Sequence, residues 1–350
     1  MTPADGMSGC RLLVATTSQP GAIAILQLDG DVRPVLGAVT GIAQWPAGRA
    51  RLANLADIDR GMAVRLTDNV AQLMPHGGPR VVQRLVAWLV DRGVELVAPH
   101  DVAPERVFPE AADRFEAMAL AAVARAASPI AVDLLLDQPR RWRTAAADGN
   151  PDAERARRLN RLIDPPLVVV AGPANVGKST LSNTLVGRSM SIAADVPGTT
   201  RDYTSGRIDL AGVVVDWHDT PGLRDSSDPI EAEAVEIARA LIARADLVVA
   251  LTDHKQPWPR LPRPPDLRVA NKRDLGDRGD DGGDLSISAV TGAGITELVV
   301  AIRDRLVPPE DIAHDGRWLF DPRLVEQPQE SADECHASPP PAADPRTGEA

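Results

Sequence analysis

The sequence predicts an α/β fold with a parallel sheet in the central part of the chain, and two observations support this prediction. Between residues 165 and 308, short apolar runs that fit buried strands alternate with amphipathic stretches that fit helices. Such alternation is typical of strand–helix–strand units, which build parallel sheets. The second observation is a glycine-containing loop at residues 172–180, between the apolar run 167–171 and a helical stretch.

The loop at residues 172–180 reads G-P-A-N-V-G-K-S-T and matches the G-x-x-x-x-G-K-[ST] pattern of a phosphate-binding P-loop. In such a loop the backbone N–H groups face inward, and the start of the following helix adds partial positive charge. Lys178 is predicted to reach the β- and γ-phosphates, and the Ser179 hydroxyl to bind Mg²⁺. The predicted nucleotide contacts of the loop are Asn175, Val176, Gly177, Lys178, Ser179 and Thr180.

Two further segments predict contacts to Mg²⁺ and to the γ-phosphate. Residues 219–222 read D-T-P-G after a strand-like run. In a D-x-x-G element the aspartate, here Asp219, holds Mg²⁺ through water, and the N–H of the glycine, here Gly222, meets the γ-phosphate. Thr200 is the candidate switch threonine that ligates Mg²⁺ when the γ-phosphate is present. The predicted Mg²⁺ ligands are therefore Ser179, Thr200 and Asp219, and Lys178 and Thr200 are predicted to act in catalysis.

The choice of base depends on residues 271–274, which read N-K-R-D after another strand-like run. A carboxylate at Asp274 accepts hydrogen bonds from both N1–H and N2–H₂ of guanine, which adenine cannot offer. Ser288 and Ala289 are predicted to lie beside guanine O6. Because these elements occur in order and each follows a predicted strand, we expect an Mg²⁺-dependent GTPase whose guanine site includes Asn271, Lys272 and Asp274.

The regions before residue 165 and after residue 308 differ in composition and residue pattern, and they predict three further parts of the chain. Residues 1–104 predict an α+β domain, with a helix at 79–91. Residues 105–164 are helical in character, and Ser128-Pro129 fits an N-cap followed by a first helical position. Residues 309–350 predict an acidic, proline-rich and largely disordered tail, with disorder expected after about Glu326, which leaves 165–308 as the P-loop GTPase domain. The predicted N-terminal strands are residues 12–16, 21–28, 62–66, 70–74 and 94–97.

Two connections depart from a simple alternation of strands and helices. Residues 252–266 contain five prolines, and residues 275–284 consist almost entirely of glycine and aspartate. Both connections are therefore predicted to lack a helix, which gives a trimmed GTPase domain.

Basic runs occur at residues 140–143 and 155–161, and they fit either a solvated helix face or a contact with RNA or a protein partner.

Net charge, cysteine content and the lengths of the apolar runs indicate which kinds of partner, cross-link and compartment to expect. The net charge is −11, and residues 309–350 hold ten acids against three arginines, so bulk charge does not favour binding to a phosphate backbone. Cys10 and Cys335 lie far apart and suggest neither a disulfide framework nor a metal site. No signal peptide or membrane-length apolar run is visible, so we expect a cytoplasmic protein without a membrane partner.

Together these motifs resemble the MnmE (TrmE) family of tRNA-modification GTPases. The similar segments are G-T-T-R-D at 198–202, D-T-P-G-L-R at 219–224 and N-K-R-D at 271–274, with G-A-I-A-I-L at 21–26 and H-G-G-P at 76–79 in the N-terminal domain. The resemblance spans roughly residues 11–307. It implies a folate-binding-like domain, then helices, then a G domain, and it implies GTP and GDP, tRNA or a tRNA-modification protein, and a second copy of the chain as partners.

The resemblance also implies how hydrolysis is assisted. Asn175 is similar to the family asparagine that coordinates K⁺, and the backbone at Ala194, Val196 and Thr199 would complete the loop around that ion. Leu223 stands where Ras-like proteins carry a water-orienting glutamine, so another group must orient the water. Glu231 matches the family's water-positioning glutamate; read as sequence alone, it is also an ordinary acid in the first turn of a helix.

Several positions depart from the family pattern. Gln27, Gln72 and Ala112 replace an arginine, a glutamate and a lysine that serve the folate in the family, which argues against folate binding. Cys335 lies in a proline-rich tail, and the second helical half of the family is missing, so we expect a truncated, partly degenerate member. Two hypotheses stay open: a GTPase that still serves tRNA wobble-uridine modification, or a GTP-driven regulatory switch that has lost folate and tRNA chemistry.

Overall fold

The computed structural model describes residues 7, 9–16, 21–144, 151–188, 205–220, 229–276, 279 and 282–325. Within these residues the strands form two separate six-stranded sheets. One sheet belongs to the N-terminal region and the other to the GTPase domain, and helices connect them in the chain. None of the described helices combines the length and the apolar composition that crossing a bilayer requires.

The N-terminal sheet is mixed, with strand order β3-β4-β5-β2-β1-β6. Its neighbouring strands are antiparallel except β6, which runs parallel to β1. Leu12, Leu28 and Leu85 are fully buried, so inward-facing strand positions and one face of α2 form the core. The elements are β1 (Cys10–Val14), β2 (Leu26–Gly30), α1 (Val32–Thr40), β3 (Arg51–Leu55), β4 (Asp59–Arg65), β5 (Val70–Met74), α2 (Pro79–Val90) and β6 (Glu95–Leu96).

Part of this sheet differs from the sequence prediction. The strand predicted at 21–28 begins only at Leu26 and continues to Gly30. Helix α1 and strand β3 lie where no element was predicted. Pro34 and Gly37 lower the helix propensity of α1, which is nevertheless held in place by four buried aliphatic side chains on one face. Tertiary burial therefore outweighs local propensity in this helix.

The helical region follows with a 3₁₀ turn at Pro99–Asp101, α3 (Pro104–Val107), α4 (Arg114–Arg125), α5 (Pro129–Thr144), α6 (Ala153–Leu159) and a 3₁₀ turn at Asn160–Leu162. Helix α5 begins at Pro129, as predicted. The hydroxyl of Ser128, however, accepts a hydrogen bond from the N–H of Val214 in the GTPase domain, at 2.9 Å. Ser128 is 1% exposed, so it joins the helical region to the second sheet.

The second sheet has the order β12-β11-β10-β7-β9-β8 and is parallel except for β8, which is antiparallel to β9. This is the predicted P-loop GTPase fold. Residues 254–266 are all described and contain no helix, as their prolines predicted. The elements are β7 (Leu167–Ala171), α7 (Lys178–Arg188), β8 (Ser205–Leu210), β9 (Val213–Asp219), α8 (Pro229–Arg244), β10 (Leu247–Asp253), β11 (Leu267–Asn271), β12 (Leu285–Ser286) and α9 (Ile295–Leu306).

Residues 309–325, which we call the return segment, correct the predicted tail. Composition groups them with the acidic tail, but they form α10 (Pro309–Ile312) and a 3₁₀ turn at Pro322–Leu324 and pack against the helical region. Trp318 is 1% exposed, and its N–H and Nε1–H donate to Gln138 and Asn160. Its acids do not prevent packing, because Trp318, Phe320 and Leu324 are buried in the core. Residues 326–350 lie outside the described residues.

The two basic runs hold the return segment in place. Arg141 donates to the carbonyls of His314 and Gly316 at 2.8 and 3.2 Å, and Arg155 donates to the carbonyl of Arg317 at 2.8 Å. Arg158 pairs with the buried carboxylate of Asp311 at 2.6 and 3.0 Å. These three arginines therefore bind the chain's own return segment.

Candidate nucleotide site

The P-loop connects β7 to α7 through two glycines that no other residue could replace without movement. A Cβ on Gly172 would lie 2.1 Å from the carbonyl oxygen of Leu251 in β10. Gly177 has φ +95°, and a Cβ there would lie 2.4 Å from Nδ2 of Asn271. The glycines of the motif thus allow the loop to approach both β10 and the N-K-R-D segment closely.

Lys178 lies at the start of α7 and is almost completely buried beneath the loop. Its Nζ donates to the carbonyls of Gly172 and Pro173 at 3.1 and 3.0 Å. Burial lowers the pKa of Lys178, while the negative charge of Asp219 opposes that shift. The loop therefore holds a cation whose carbonyl partners can be exchanged for phosphate oxygens.

Ser179 and Asp219 meet beside the loop, as their predicted shared role requires. The Ser179 hydroxyl donates to Oδ2 of Asp219 at 2.8 Å. Asp219 is 7% exposed, and its other carboxylate oxygen, Oδ1, is buried and has no hydrogen-bond partner among the described residues. Burial raises the pKa of Asp219 despite the hydrogen bond from Ser179. A buried carboxylate oxygen without a donor, next to a hydroxyl, fits a hydrated Mg²⁺, which would supply the missing positive charge.

The N-K-R-D segment ties three loops together. Nδ2 of Asn271 donates to the carbonyl of Val176 at 2.8 Å, and Oδ1 accepts from the N–H of Ala289 at 2.9 Å. Nζ of Lys272 donates to the carbonyl of Asn175 at 2.5 Å and to Oδ2 of Asp253 at 3.0 Å. Asn271 and Lys272 therefore organise the P-loop and the Ala289 loop.

The remaining guanine-site residues lie on the same side of the sheet. Ser288 is fully buried, and its Oγ accepts a hydrogen bond from the N–H of Thr291 at 3.1 Å. The carbonyl of Ala289 accepts from the hydroxyl of Thr184 at 2.8 Å, which links this loop to α7. Asp274 is exposed in the turn after β11. An exposed carboxylate beside an ordered loop is available to a base from solvent.

Five predicted residues lie outside the described residues: Gly222, Thr200, Ala194, Val196 and Thr199. Glu231 lies in the first turn of α8, but its side chain is outside what the structure describes. The roles assigned to these six residues, like those of the other predicted site residues, stay predictions. Thr180, in the first turn of α7, is exposed.

Two side chains at the site escaped the sequence prediction. Oδ1 of Asp253 accepts the N–H groups of Lys255 and Gln256, and Nε2 of Gln256 donates to the carbonyl of Ala174 in the P-loop at 3.2 Å. Asp253 ends a buried strand at the carboxyl edge of a parallel sheet, where ligands bind, and that position could have drawn attention to it. Gln256 lies in the proline-rich connection and carries no comparable sequence signal.

Two of the family's folate positions, Gln27 and Gln72, line a cavity of about 410 Å³ between the N-terminal sheet and α4. Gln27 is 1% exposed, and its amide donates to the carbonyl of Arg106. Nε2 of Gln72 donates to Oε1 of Gln27 at 3.0 Å. The two amides thus partner each other, while Ala112 is exposed. None of the three side chains carries a charge, but Glu110, Arg125 and Arg323 also line the cavity, so the loss of folate binding stays a prediction.

Comparison with known proteins places this geometry in a family. A family model described as a 50S ribosome-binding GTPase matches residues 167–273. The tRNA modification GTPase MnmE of Acidiphilium cryptum is 33% identical over an alignment of 347 positions, gaps included, and the alignment covers 82% of this chain and 79% of that protein. The chain belongs to the MnmE family.

Other relatives extend the match along the chain. MnmE of Xanthomonas oryzae is 28% identical over an alignment of 380 positions, gaps included, and the alignment covers 89% of this chain and 84% of that protein. MnmE of Methylorubrum populi is 45% identical over 163 residues, 46% of this chain and 35% of that protein. A solved structure of Aquifex aeolicus Era bound to GDP.AlF4- is 28% identical, with a TM-score of 0.32 over 40% of this chain and 56% of that one. As an MnmE-family member with a complete P-loop, this chain binds GTP and hydrolyses it.

Proposed function

We propose that this MnmE-family chain hydrolyses GTP in a K⁺-stimulated reaction that requires two G domains to meet. The chain would serve tRNA wobble-uridine modification together with a partner protein. The observation that carries the K⁺ proposal is the state of Asn175. Its backbone is left-handed, with φ +63°, its side chain is exposed, and its amide makes no hydrogen bond among the described residues. An amide oxygen held on the P-loop without a partner is suited to a monovalent cation.

The K⁺ ion would act where negative charge accumulates during hydrolysis. Lys178 neutralises the β- and γ-phosphates from within the loop, and Ser179 with Asp219 would hold Mg²⁺ on the other side of them. Asn175 would place K⁺ beside the same phosphates, with the backbone at Ala194, Val196 and Thr199 as further ligands. A fixed cation there stabilises the transition state more than the ground state, because the bridging oxygen gains charge as its bond to the γ-phosphorus breaks.

Water attack requires a further group in this proposal. Leu223 has no polar atom in its side chain to orient a water molecule. Glu231 in the first turn of α8 would hold the attacking water, and Thr200 would ligate Mg²⁺ when the γ-phosphate is present. Contact between two G domains would bring these groups to the phosphates, so hydrolysis would depend on protein concentration.

The test is a set of single-turnover hydrolysis rates in matched K⁺ and Na⁺ at several protein concentrations. We expect faster hydrolysis in K⁺, a rise in rate with protein concentration, and loss of the K⁺ effect in Asn175→Ala. Glu231→Ala should slow hydrolysis and spare GTP binding. Equal rates in both salts, independent of concentration, would indicate a slow monomeric GTPase instead.

A second candidate function is supported by the paired amides of Gln27 and Gln72. If the N-terminal cavity has lost its folate, the chain would be a GTP-driven switch without tRNA-modification chemistry. Recovery of RNA and small molecules from the purified protein separates the two. A bound tRNA supports the first function, and nucleotide-dependent self-association without any RNA supports the second.

A further inference from the structure

A turn after β10 lies directly against the P-loop. β10 pairs with β7 in parallel register, so the carboxyl ends of both strands meet at the nucleotide edge of the sheet. From the turn that follows β10, Nε2 of Gln256 donates to the carbonyl of Ala174 in the P-loop at 3.2 Å. This bond links the trimmed connection at 252–266 to the catalytic loop.

The backbone of this turn is anchored independently of the Gln256 side chain. Oδ1 of Asp253 accepts the N–H groups of Lys255 and Gln256 at 3.0 and 3.1 Å. The hydroxyl of Thr252 donates to the carbonyl of Gln256 at 3.0 Å. Thr252 and Asp253 are both buried. A substitution of the Gln256 side chain should therefore leave the turn intact.

The bond from Gln256 completes a clamp around Asn175. The carbonyl before Asn175, that of Ala174, accepts from Gln256, and the carbonyl of Asn175 itself accepts from Lys272 at 2.5 Å. Lys272 is in turn held by Asp253, the residue that anchors the turn. Asn175 needs such support, because a residue with a Cβ is disfavoured at φ +63°.

We propose that Gln256 is a positioning residue for GTP hydrolysis. It fixes the Ala174–Asn175 peptide, and through that peptide it holds the Asn175 amide where K⁺ binds beside the phosphates; the proposal rests on the K⁺ site of the proposed function. Without the donor, the peptide can rotate and Asn175 can relax toward the right-handed region. The amide then leaves the ion site, and K⁺ binds more weakly.

Two substitutions separate positioning from simple electrostatics. Gln256→Met removes the donor without changing charge, and Gln256→Glu removes it while adding a negative charge near the ion. If Gln256 positions Asn175, both variants raise the K⁺ concentration that gives half-maximal hydrolysis, by about fivefold to tenfold, as expected for one lost hydrogen bond. If charge alone mattered, Gln256→Glu would lower that concentration. Lys255→Ala, an exposed change in the same turn, is the matched control and should stay within about twofold of the wild type.

The measurement is single-turnover GTP hydrolysis over a K⁺ series at constant ionic strength with Na⁺ as the replacement ion. Thermal unfolding and fluorescent GDP binding, the latter in Na⁺ and in K⁺, accompany it as checks on folding and on the nucleotide pocket. A shift in half-saturating K⁺ in both Gln256 variants, with Na⁺ GDP affinity held within about twofold, supports the proposal. A K⁺-dependent wild type with unshifted Gln256 variants overturns it, as does an equal loss of GDP affinity in both salts. A wild type without any K⁺ dependence overturns the proposed function itself, so the two failures are distinguishable.

Discussion

Replacing Trp318 by alanine tests whether the return segment completes the helical region. Trp318 is 1% exposed and lies in the same core as Leu135, Leu159 and Leu162. Truncating a buried tryptophan costs about 3–5 kcal/mol, including the cavity that it leaves. The lost Nε1–H bond to Asn160 belongs to the same change. At roughly 2–4 °C for each kcal/mol, the melting temperature of the affected unit should fall by roughly 6–20 °C.

Scanning calorimetry with and without Mg²⁺ and GDP can assign the affected transition. Nucleotide raises the melting temperature of the unit that binds it, which marks the G domain. The Trp318→Ala change should lower the transition that contains the helical region. Val325→Ala, a 53% exposed position at the end of the same segment, serves as the control and should stay within about 0.5 kcal/mol. If Trp318→Ala also stays within that margin, the return segment does not support the helical region.

Four further predictions concern the nucleotide site and the chain end. Lys178→Ala should abolish GTP hydrolysis and weaken nucleotide binding, because its Nζ is the cation under the loop; unaltered turnover would contradict the phosphate-loop assignment. Asp274→Asn should lower GTP affinity and favour xanthosine nucleotides, which a nucleotide competition assay measures; no change would remove Asp274 from the guanine site. Burial raises the pKa of Asp219 in the folded protein. The ionised carboxylate therefore destabilises the fold increasingly as the pH rises above the ordinary pKa of an aspartate. Asp219→Asn should therefore raise the melting temperature of the nucleotide-free protein near pH 7, with a gain that shrinks toward pH 4, and should remove stabilisation by Mg²⁺; a gain independent of pH would contradict the role of its charge. Removing residues 327–350 should leave hydrolysis and the melting temperature unchanged, and a large drop in either would show that they pack against the fold.

Much of the GTPase domain could be predicted because its chemistry is local in sequence. Gly172 and Gly177 lie where a Cβ would collide with a neighbouring strand or with Asn271. Steric hindrance therefore requires glycine at these two positions of the motif. Ser179 also lies against Asp219, and Lys178 lies under the loop with its Nζ on the carbonyl of Gly172. Thr200 and Glu231 could not be tested against side-chain geometry and stay predictions.

The misses share one physical cause, which is packing between residues distant in sequence. Gln256 reaches the P-loop from 82 positions away, and no local pattern encodes that contact. Helix α1 has a weak propensity and is held by the sheet below it. The basic runs had two open interpretations because charge alone does not say what an arginine binds. Three of their arginines, Arg141, Arg155 and Arg158, bind backbone carbonyl oxygens and one buried carboxylate of the return segment.

The return segment has a consequence for the order in which the chain can fold. The bond from Trp142 to the carbonyl of Trp318 spans 176 positions, and the whole G domain lies between the two residues. During synthesis the helices of this region, α4, α5 and α6, emerge first. Their apolar face stays exposed until residues 309–325 leave the ribosome. Contacts of such long sequence separation form slowly, since the intervening loop must close first. The G domain has its own sheet but shares one hydrophobic core with the helical region and the return segment, so its folding can bring the two ends of that loop together.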